Sequence, residues 1–334
     1  MTALQCPRCR LIEPGSVISH ALDESFTCTG CQFIWPHVVL RDARVPVMVE
    51  DAPWWPALLQ GATQWLPDMT QLQQMLGDDD SDVRSSAEQM LIWAAAHWGH
   101  RAQPEVDHCD LSWIADWLPS AEDLPDCPIL LLGCSAGGEV VHLRDLARPV
   151  IAMDLSPWPV LFAASLGQLS QPGLPWRPRA GEIALSPLEL REDDKAMLRN
   201  TQFVIGDALN PPFAAETFSL VIALNLIDAV AEPALLLGQC EALLQPGGAI
   251  LLATPYNWRD EITPKNHRLC SLLPDGADEA AGVEALLTGK LLPDHFGNLQ
   301  MIKSSQRLPW SVPLHPRHRA HYEMHVMLLR KLSS

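Results

Sequence analysis

Short apolar runs alternate with helical patterns through the second half of the chain. Each run has only four to six residues, which is typical of buried strands in a parallel sheet. The runs lie at Ile129–Leu132, Val150–Asp154, Phe203–Ala208, Phe218–Ala223 and Ala249–Thr254. With a last strand at about His321–Arg330, they predict an α/β fold: a doubly wound, Rossmann-like, mostly parallel sheet. A ligand should then bind at the carboxyl ends of the strands.

A glycine-rich turn directly follows the first strand. Gly133, Gly137 and Gly138 lie in this turn, and Glu139–Leu146 can form a helix that begins there. Strand, turn and helix N-terminus are a common cradle for a nucleotide-like cofactor, because small residues let the backbone approach and free N–H groups point at the ligand. Glycine-rich strand ends are common, so the turn alone favours such a site only weakly.

Carboxylates end the next two strands. Asp154 comes about twenty residues after the glycine turn, where dinucleotide-binding proteins place a carboxylate that accepts hydrogen bonds from ribose hydroxyls. Asp207 lies at the end of the following strand. The alternative interpretation of Asp154 is a favourable charge at a helix N-terminus, because Leu155, Ser156 and Pro157 favour a helix start.

Four of the nine cysteines form two CxxC pairs near the N-terminus. Eighteen residues separate Cys6 and Cys9 from Cys28 and Cys31, a spacing that fits a four-cysteine zinc ribbon over residues 1–50. Four thiolates close a tetrahedral shell, so we expect a structural zinc ion that stabilises a segment too short to bury much core. The alternative is four unrelated buried or reactive cysteines.

Residues 51–127 are rich in tryptophan and alanine and predict a helical connector or cap. Ser85–Trp98 has one apolar face and ends before Gly99, which favours a helix. A helix just before the first sheet strand often covers the cofactor cleft in folds of this type, so His97 and Trp98 are candidate substrate residues. Core packing is the alternative. The remaining domain, 128–334, carries predicted insertions at 170–200 and 256–297.

Composition narrows the classes of function. The 334 residues are 48% hydrophobic, which allows a sizeable core, and they carry a formal charge of −17. Because phosphate binding needs a basic face, this charge argues against a broad nucleic-acid surface. The N-terminus has no signal-like pattern and no apolar run approaches about 18 residues. We therefore expect no membrane partner and a cytoplasmic location, which also suits unpaired cysteines.

The strand-end residues together resemble the class I S-adenosylmethionine (SAM)-dependent methyltransferases. The resemblance spans residues 129–254 and includes the glycine turn, both carboxylates, the fourth strand and a Pro-Gly-Gly turn before the fifth. It implies a sheet of seven strands and SAM as the cofactor. The cofactor-binding residues that it implies are Gly133, Ser135, Gly137, Asp154, Leu155, Asp207, Ala208, Asn225 and Leu226. Asp154 would bind the ribose, Asp207 the adenine amino group, and Asn225 would lie near the transferable methyl group.

A narrower resemblance concerns the methyl acceptor. Residues 225–228, 254–258, 263–264 and the tail 308–319 resemble the mercaptohistidine N-methyltransferase module of ovothiol synthases. That resemblance implies methylation of an imidazole nitrogen on a small molecule or peptide. A carboxylate on the far ring nitrogen would fix the tautomer and stabilise the developing cation.

These considerations give the catalytic and substrate candidates. Asp228 is the candidate carboxylate, and Tyr256 the second catalytic candidate, positioned to stack on a flat substrate. The substrate candidates in this half of the chain are Trp258, Trp310 and Arg317, with Arg319 beside them. The alternatives are a helix cap for Asp228, core packing for the aromatic residues and plain surface exposure for the arginines.

The N-terminal segment has a resemblance of its own. Residues 4–50, with their CxxC pairs, Trp35-Pro36 and the run Val45–Glu50, resemble the zinc-ribbon activator subunits of tRNA and protein methyltransferases. This implies a platform that supports a methyltransferase and a protein partner bound through the ribbon. Its four arginines and five acidic residues are nearly balanced, so it does not look like an RNA clamp.

Two residues depart from the class I pattern. Leu131 stands where an acidic residue is usual, and Ser135 where glycine is commonest. The first change would remove a water-mediated contact to the amino group of the cofactor. Three hypotheses remain: a SAM-dependent N-methyltransferase for a small molecule or peptide, an RNA or protein methyltransferase that uses the ribbon for recognition, and a non-catalytic interaction protein with a degenerate methyltransferase fold.

Overall fold

A nine-stranded sheet forms the centre of the protein. The computed structural model describes residues 2–12, 26–41, 43–50, 69–78, 81–102, 106–179, 182–293 and 297–333. Residues 51–68 of the predicted connector and residues 13–25 between the two CxxC pairs lie outside the described residues. The strands are β1 (His37–Leu40), β2 (Ala43–Met48), β3 (Ile129–Leu132), β4 (Val150–Asp154), β5 (Gly173–Trp176), β6 (Ala184–Pro187), β7 (Gln202–Gly206), β8 (Phe218–Leu224), β9 (Leu244–Thr254), β10 (Leu299–His315) and β11 (His318–Lys331).

Seven of the sheet strands come from the second part of the chain, in the order β7-β4-β3-β8-β9-β11-β10. The first five of these run parallel to one another, whereas β11 is antiparallel to both β9 and β10. The predicted Rossmann-like α/β fold, with a seven-stranded and mostly parallel sheet, is therefore confirmed.

The N-terminal segment adds the other two strands. β1 and β2 form an antiparallel hairpin, and β2 pairs in parallel with β7, with Val47 opposite Ile205 and Met48 opposite Gly206. The segment that carries the CxxC pairs thus extends the central sheet beyond β7.

Helices lie on both faces of the sheet. The α-helices are α1 (Pro7–Ile12), α2 (Met69–Leu76), α3 (Ser81–Trp98), α4 (Trp113–Trp117), α5 (Pro157–Leu166), α6 (Glu192–Asn200), α7 (Pro233–Leu243) and α8 (Glu279–Leu287). Strand β3 is buried along its whole length because Leu131 packs into the core that contains α3, whereas Leu130 packs into the opposite core with α7. None of the helices in the described ranges combines the length and the apolar character needed to span a membrane.

Two predicted segments differ in detail. The segment after the glycine turn forms a 3₁₀-helix, Gly138–Leu146, between left-handed residues Gly137 and Ala147 that close i→i+3 hydrogen bonds at its ends. Further 3₁₀ turns lie at Gly99–Arg101, Ala121–Asp123, Ile227–Ala229, Lys265–His267 and Leu269–Leu272. Within residues 170–200, the prolines do not prevent a hairpin of β5 and β6, because each strand of a two-stranded sheet has a free edge. Helix α6 then returns the chain to β7.

Candidate functional site

A cavity of about 330 Å³ lies at the carboxyl ends of β7, β4, β3 and β8. Helix α3 contributes to its wall through Gln89, Trp93 and His97. The rest of the lining includes nine further predicted site residues: Gly133, Ser135, Asp154, Leu155, Asp207, Ala208, Asn225, Leu226 and Trp310. The size is in the range of small-molecule and cofactor pockets.

Gly137 lies behind this lining. Its φ is +73°, and a Cβ there would come within 2.8 Å of the Ala163 Cβ on α5. The absence of a side chain therefore allows the turn to pack against α5, and Gly137 shapes the cavity without facing it.

The N–H groups of the glycine turn are used inside the protein. Five of them have acceptors within the chain: those of Gly133, Cys134, Ser135, Gly137 and Gly138. Ser135 donates to Asp154 Oδ2 at 2.8 Å, and Gly138 donates to His97 Nδ1 at 3.1 Å. The expectation of free N–H groups is therefore wrong for these five residues, and the turn is not a ready-made phosphate site.

The strand-end carboxylates are fixed by backbone donors. Asp154 accepts the Ser156 N–H at Oδ1, at 2.8 Å, in addition to the Ser135 N–H at Oδ2. Desolvation raises the pKa of Asp154, and these hydrogen bonds oppose that rise. Asp207 Oδ1 accepts the Leu209 N–H at 2.8 Å. Both carboxylates are thus held at the cavity wall with lone pairs left for a ligand.

Several buried polar atoms of the lining have no hydrogen-bond partner within the described part of the chain. They are Ser135 Oγ, Glu139 Oε2, Asn225 Oδ1, Trp113 Nε1 and Trp310 Nε1. Such atoms are normally paired, so a ligand is the natural source of their partners. Ser135 and Asn225 also have positive φ angles, 43° and 52°, which are rare outside glycine and cluster at ligand sites.

A second cavity of about 190 Å³ shares Trp93, Asn225, Arg259 and Trp310 with the first. Its wall adds Asp228 and Tyr322. Asp228 is 5% exposed, its Oδ2 accepts the Asn257 N–H at 2.6 Å, and burial raises its pKa.

Aromatic rings form one side of this second cavity. The rings of Trp93 and Trp310 are stacked, with centroids 6.2 Å apart and planes 17° apart, and Tyr322 lies 6.0 Å from Trp310. A carboxyl group, three aromatic rings and the Arg259 side chain therefore line one small space, a combination suited to a flat polar group.

Two of the predicted aromatic site residues point elsewhere. The hydroxyl group of Tyr256 lies 2.7 Å from His325 Nδ1, and Trp258 Nε1 donates to Glu279 Oε1 at 2.8 Å. The surrounding carboxylates and burial raise the pKa of Tyr256 well above its usual range, with desolvation the largest cause. Neither side chain lines either of the two cavities.

The other predicted substrate residues also lie outside these linings. Trp98 is fully buried and donates to the Ala136 carbonyl at 2.7 Å, so it supports the glycine turn from behind. Arg317 is exposed in the turn between β10 and β11. Arg319 pairs with Asp107 and donates to Ser311 Oγ at 2.7 Å.

Glu139, Trp93, Trp113 and Arg259 line the cavities although no sequence motif singles them out. A usable signal exists for two of them. Glu139 is a carboxylate placed directly after the glycine turn. Trp93 lies off the apolar face of α3, where a large ring needs a partner other than the core.

The four cysteines of the CxxC pairs come together at the edge of the protein. Their sulfur atoms all lie within 4.8 Å of one another, with Cys6–Cys31 at 3.7 Å and Cys9–Cys28 at 3.6 Å. Thiolates at about 2.3 Å around a tetrahedral zinc ion are about 3.8 Å apart, so the cluster is compatible with zinc. Trp35 Nε1 donates to Cys6 Sγ at 3.3 Å, a contact that would orient this ligand.

Comparison with known proteins agrees with the fold. Residues 130–252 match the family model described as a methyltransferase domain. No curated protein sequence matches the chain. Similar solved structures include a SAM-dependent methyltransferase from Methanosarcina mazei, with 17% identity over 66% of this chain and 97% of that one and a TM-score of 0.39. A putative sarcosine dimethylglycine methyltransferase from Galdieria sulphuraria has 12% identity over 66% and 84%, with a TM-score of 0.40.

A third similar structure is a complex of the Haloferax volcanii Trm112 methyltransferase activator and a putative methyltransferase. The matched chain has 14% identity over 72% of this chain and 95% of that one, with a TM-score of 0.41. These overall likenesses are distant. The sheet order shows a Rossmann-like fold, and within it residues 130–252 are similar to the methyltransferase-domain family.

Proposed function

We propose that the protein is a SAM-dependent N-methyltransferase that acts on a small molecule or peptide at an imidazole nitrogen. SAM would occupy the larger cavity, and the acceptor the smaller one. The observation that carries this proposal is the pair of adjoining cavities, which share Asn225 between a wall of strand-end carboxylates and a wall of aromatic rings with Asp228.

The chemistry of the larger cavity favours SAM over a phosphate-bearing cofactor. The N–H groups of the glycine turn that would bind phosphate are engaged, and the polar groups at the strand ends are mainly acceptors. SAM carries a sulfonium, an ammonium, ribose hydroxyls and an adenine amino group, and it has no phosphate. Asp154 would accept from the ribose and Asp207 from the adenine, with the Ala208 N–H beside it and Leu155 against the nucleoside.

In the smaller cavity, the chain's own residues would position the acceptor. Bound SAM would supply an electrophilic methyl group, and its transfer needs alignment more than acid catalysis. The carboxylate of Asp228 would accept the N–H of the far ring nitrogen, keep the attacking nitrogen neutral and stabilise the cation that develops. We propose Trp93, Trp310 and Tyr322 as the stacking residues, in place of Tyr256 and Trp258, because their rings face this space.

We further propose that the cysteine cluster holds a structural zinc ion and that the partner of the ribbon is the methyltransferase domain of the same chain. The parallel pairing of β2 with β7 supports this assignment. Four cysteine ligands leave no open position at the metal, so the ion would stabilise the fold and would not take part in methyl transfer.

Calorimetry tests the cofactor assignment. The wild-type protein should bind S-adenosylhomocysteine, and Asp154→Ala should weaken this binding about a hundredfold, because two charge-assisted hydrogen bonds to the ribose are lost. Asp126→Ala is the matched control, since the Asp126 side chain is 95% exposed and is not part of the cavity lining. Unchanged affinity in Asp154→Ala would remove the cofactor assignment.

Turnover with small imidazole acceptors tests the acceptor site. Asp228→Asn should lower kcat about a hundredfold and leave the affinity for SAM unchanged, because asparagine keeps the bond to the Asn257 N–H but cannot stabilise a cation as a carboxylate does. Tyr256→Phe should leave the KM of the acceptor unchanged, since Tyr256 lies outside the cavity. Equal activity of Asp228→Asn and wild type would contradict the role of Asp228.

A further inference from the structure

Strand β3 has no carboxylate at the position where class I methyltransferases usually carry one, because Leu131 stands there. Leu131 is 1% exposed, packs in the core that contains α3, and does not line the cavity. The ammonium group of bound SAM would therefore meet no charge from this strand. A positive charge placed in a buried cavity without a partner is strongly disfavoured.

Glu139 brings a carboxyl group to the same cavity from the other side of the glycine turn. It is 6% exposed and lines the cavity, yet its Oε2 atom has no hydrogen-bond partner among the residues the structure describes. His97 Nδ1 lies 3.5 Å from this oxygen. Buried acceptors normally have a donor, and the described part of the protein supplies none for this oxygen.

His97 does not act as the cation for Glu139. Its Nδ1 atom accepts the Gly138 N–H, so the proton of the ring lies on Nε2 and Nδ1 has no N–H to donate to the carboxyl group. Burial lowers the pKa of His97 to about 3, which keeps the ring neutral. Burial, together with the charge of Asp154, raises the pKa of Glu139 to about 8.

We infer that Glu139 receives the ammonium group of SAM and replaces the carboxylate that β3 lacks. This inference rests on the proposed function and names one further binding residue of the same site. An ammonium ion has three donors and a full charge, which is the partner that an unpaired buried carboxylate requires. The engaged Gly138 N–H holds His97 and the start of the 3₁₀-helix together, which positions Glu139 for this contact.

None of the protein groups that face Glu139 supplies a positive charge, so the ligand must supply it. These groups are His97 from α3, Asp154 from the end of β4, Cys134 from the glycine turn and Cys109 from the segment before α4. Asp154 and the two thiols cannot carry a positive charge, and burial keeps His97 neutral at pH 7. Arg259 lines the same cavity but is not among the groups that shift the pKa of Glu139. Binding of an ammonium group should therefore draw the proton from Glu139 and release it.

The test compares two ligands that differ in this group. S-Adenosylhomocysteine carries the amino acid portion, whereas 5′-methylthioadenosine lacks it. Glu139→Gln should weaken the binding of S-adenosylhomocysteine about tenfold or more and leave that of 5′-methylthioadenosine within about twofold. Glu122→Gln, at an exposed position outside the cavity, is the control and should change neither affinity.

A second readout uses the wild-type protein alone and is independent of whether the variant folds. At pH 7, calorimetry in buffers of different ionisation enthalpy should show proton release with S-adenosylhomocysteine and none with 5′-methylthioadenosine. Absence of any binding by the wild type overturns the proposed function and this inference together. Binding of S-adenosylhomocysteine that Glu139→Gln leaves unchanged, or that releases no proton, overturns this inference and leaves the proposed function standing.

Discussion

At the scale of single residues, the site is defined by buried carboxyl groups and by two unusual backbone positions. Glu139, Asp154 and Asp228 all have a raised pKa, with desolvation as the first cause in each case. Such a set favours a ligand that brings positive charge and hydrogen-bond donors. Ser135 adopts a φ of 43°, so it occupies a conformation that glycine takes at no cost, and this explains why glycine is commonest there.

The ionisation of Glu139 predicts how stability depends on pH. Its pKa is raised to about 8 in the folded state, so the folded protein binds this proton more tightly than the unfolded chain does. The resulting stabilisation is fully present below about pH 4.5 and is lost as the pH rises through 8. The pKa of His97 is lowered to about 3 in the folded state, so this residue destabilises the protein only as the pH falls below about 6.5.

Between pH 6.5 and 8.5, therefore, the change in stability caused by Glu139 can be measured separately from the change caused by His97. The wild-type Tm, measured without ligand, should fall over this range relative to that of Glu139→Gln, which has no ionisable group at this position. Glu122→Gln should follow the wild type at every pH. A constant difference between the Tm values of wild type and Glu139→Gln would contradict the burial of an ionisable group here.

At the scale of elements, the ribbon contacts the loop that carries Asp207. The Gln5 N–H donates to the Pro212 carbonyl at 2.7 Å, and the Arg10 guanidinium group donates to the Pro211 carbonyl and, at 2.5 Å, to Gln239 Oε1. These bonds act at the far end of the loop that begins at Asp207 in the larger cavity. The N-terminal segment therefore supports the loop that we propose to bind the cofactor, as well as the edge of the sheet.

Loss of the metal should consequently weaken cofactor binding. Cys6→Ser should lose the zinc, lower Tm and reduce the affinity for S-adenosylhomocysteine, because α1 and β2 then no longer hold the 207–212 loop and β7. Cys270→Ser is the control, since Cys270 is exposed and outside the cluster. Metal analysis and calorimetry on the same preparations check both effects, and zinc loss with unchanged affinity would refute the coupling.

At the scale of the whole molecule, the sequence predicted the structure where hydrophobic periodicity and position at a strand end determine it. The strands β3, β4, β7 and β8 followed from short apolar runs, and the Rossmann-like topology placed their carboxyl ends together. The partners of side chains beyond the strand ends could not be predicted. Tyr256 has a φ of 55°, which a tyrosine rarely adopts, and its hydroxyl group bonds to His325 in β11, far along the chain.

The same limit applies to the long-range assembly. An apolar run such as Val45–Val49 is as consistent with an isolated ribbon as with a strand of the central sheet, and only its pairing with β7 decides between them. Likewise, Trp93 and Trp310 come from α3 and β10, and their stacking requires both elements to be placed first. Motifs thus predicted many residues of the larger cavity, whereas the smaller cavity, apart from Asp228 and Trp310, became visible only from the packing.

The pairing of Val47 with Ile205 also fixes the ratio of the N-terminal segment to the rest of the sheet at one to one, because both belong to one chain. An activator made as a separate subunit dissociates on dilution, and its effect depends on how much of each partner the cell produces. Here both strands belong to one chain, so docking occurs at an effective concentration of about millimolar or above, whatever the abundance of the protein. Every copy therefore carries its own N-terminal hairpin, and the docking of the proposed ribbon should be independent of protein concentration.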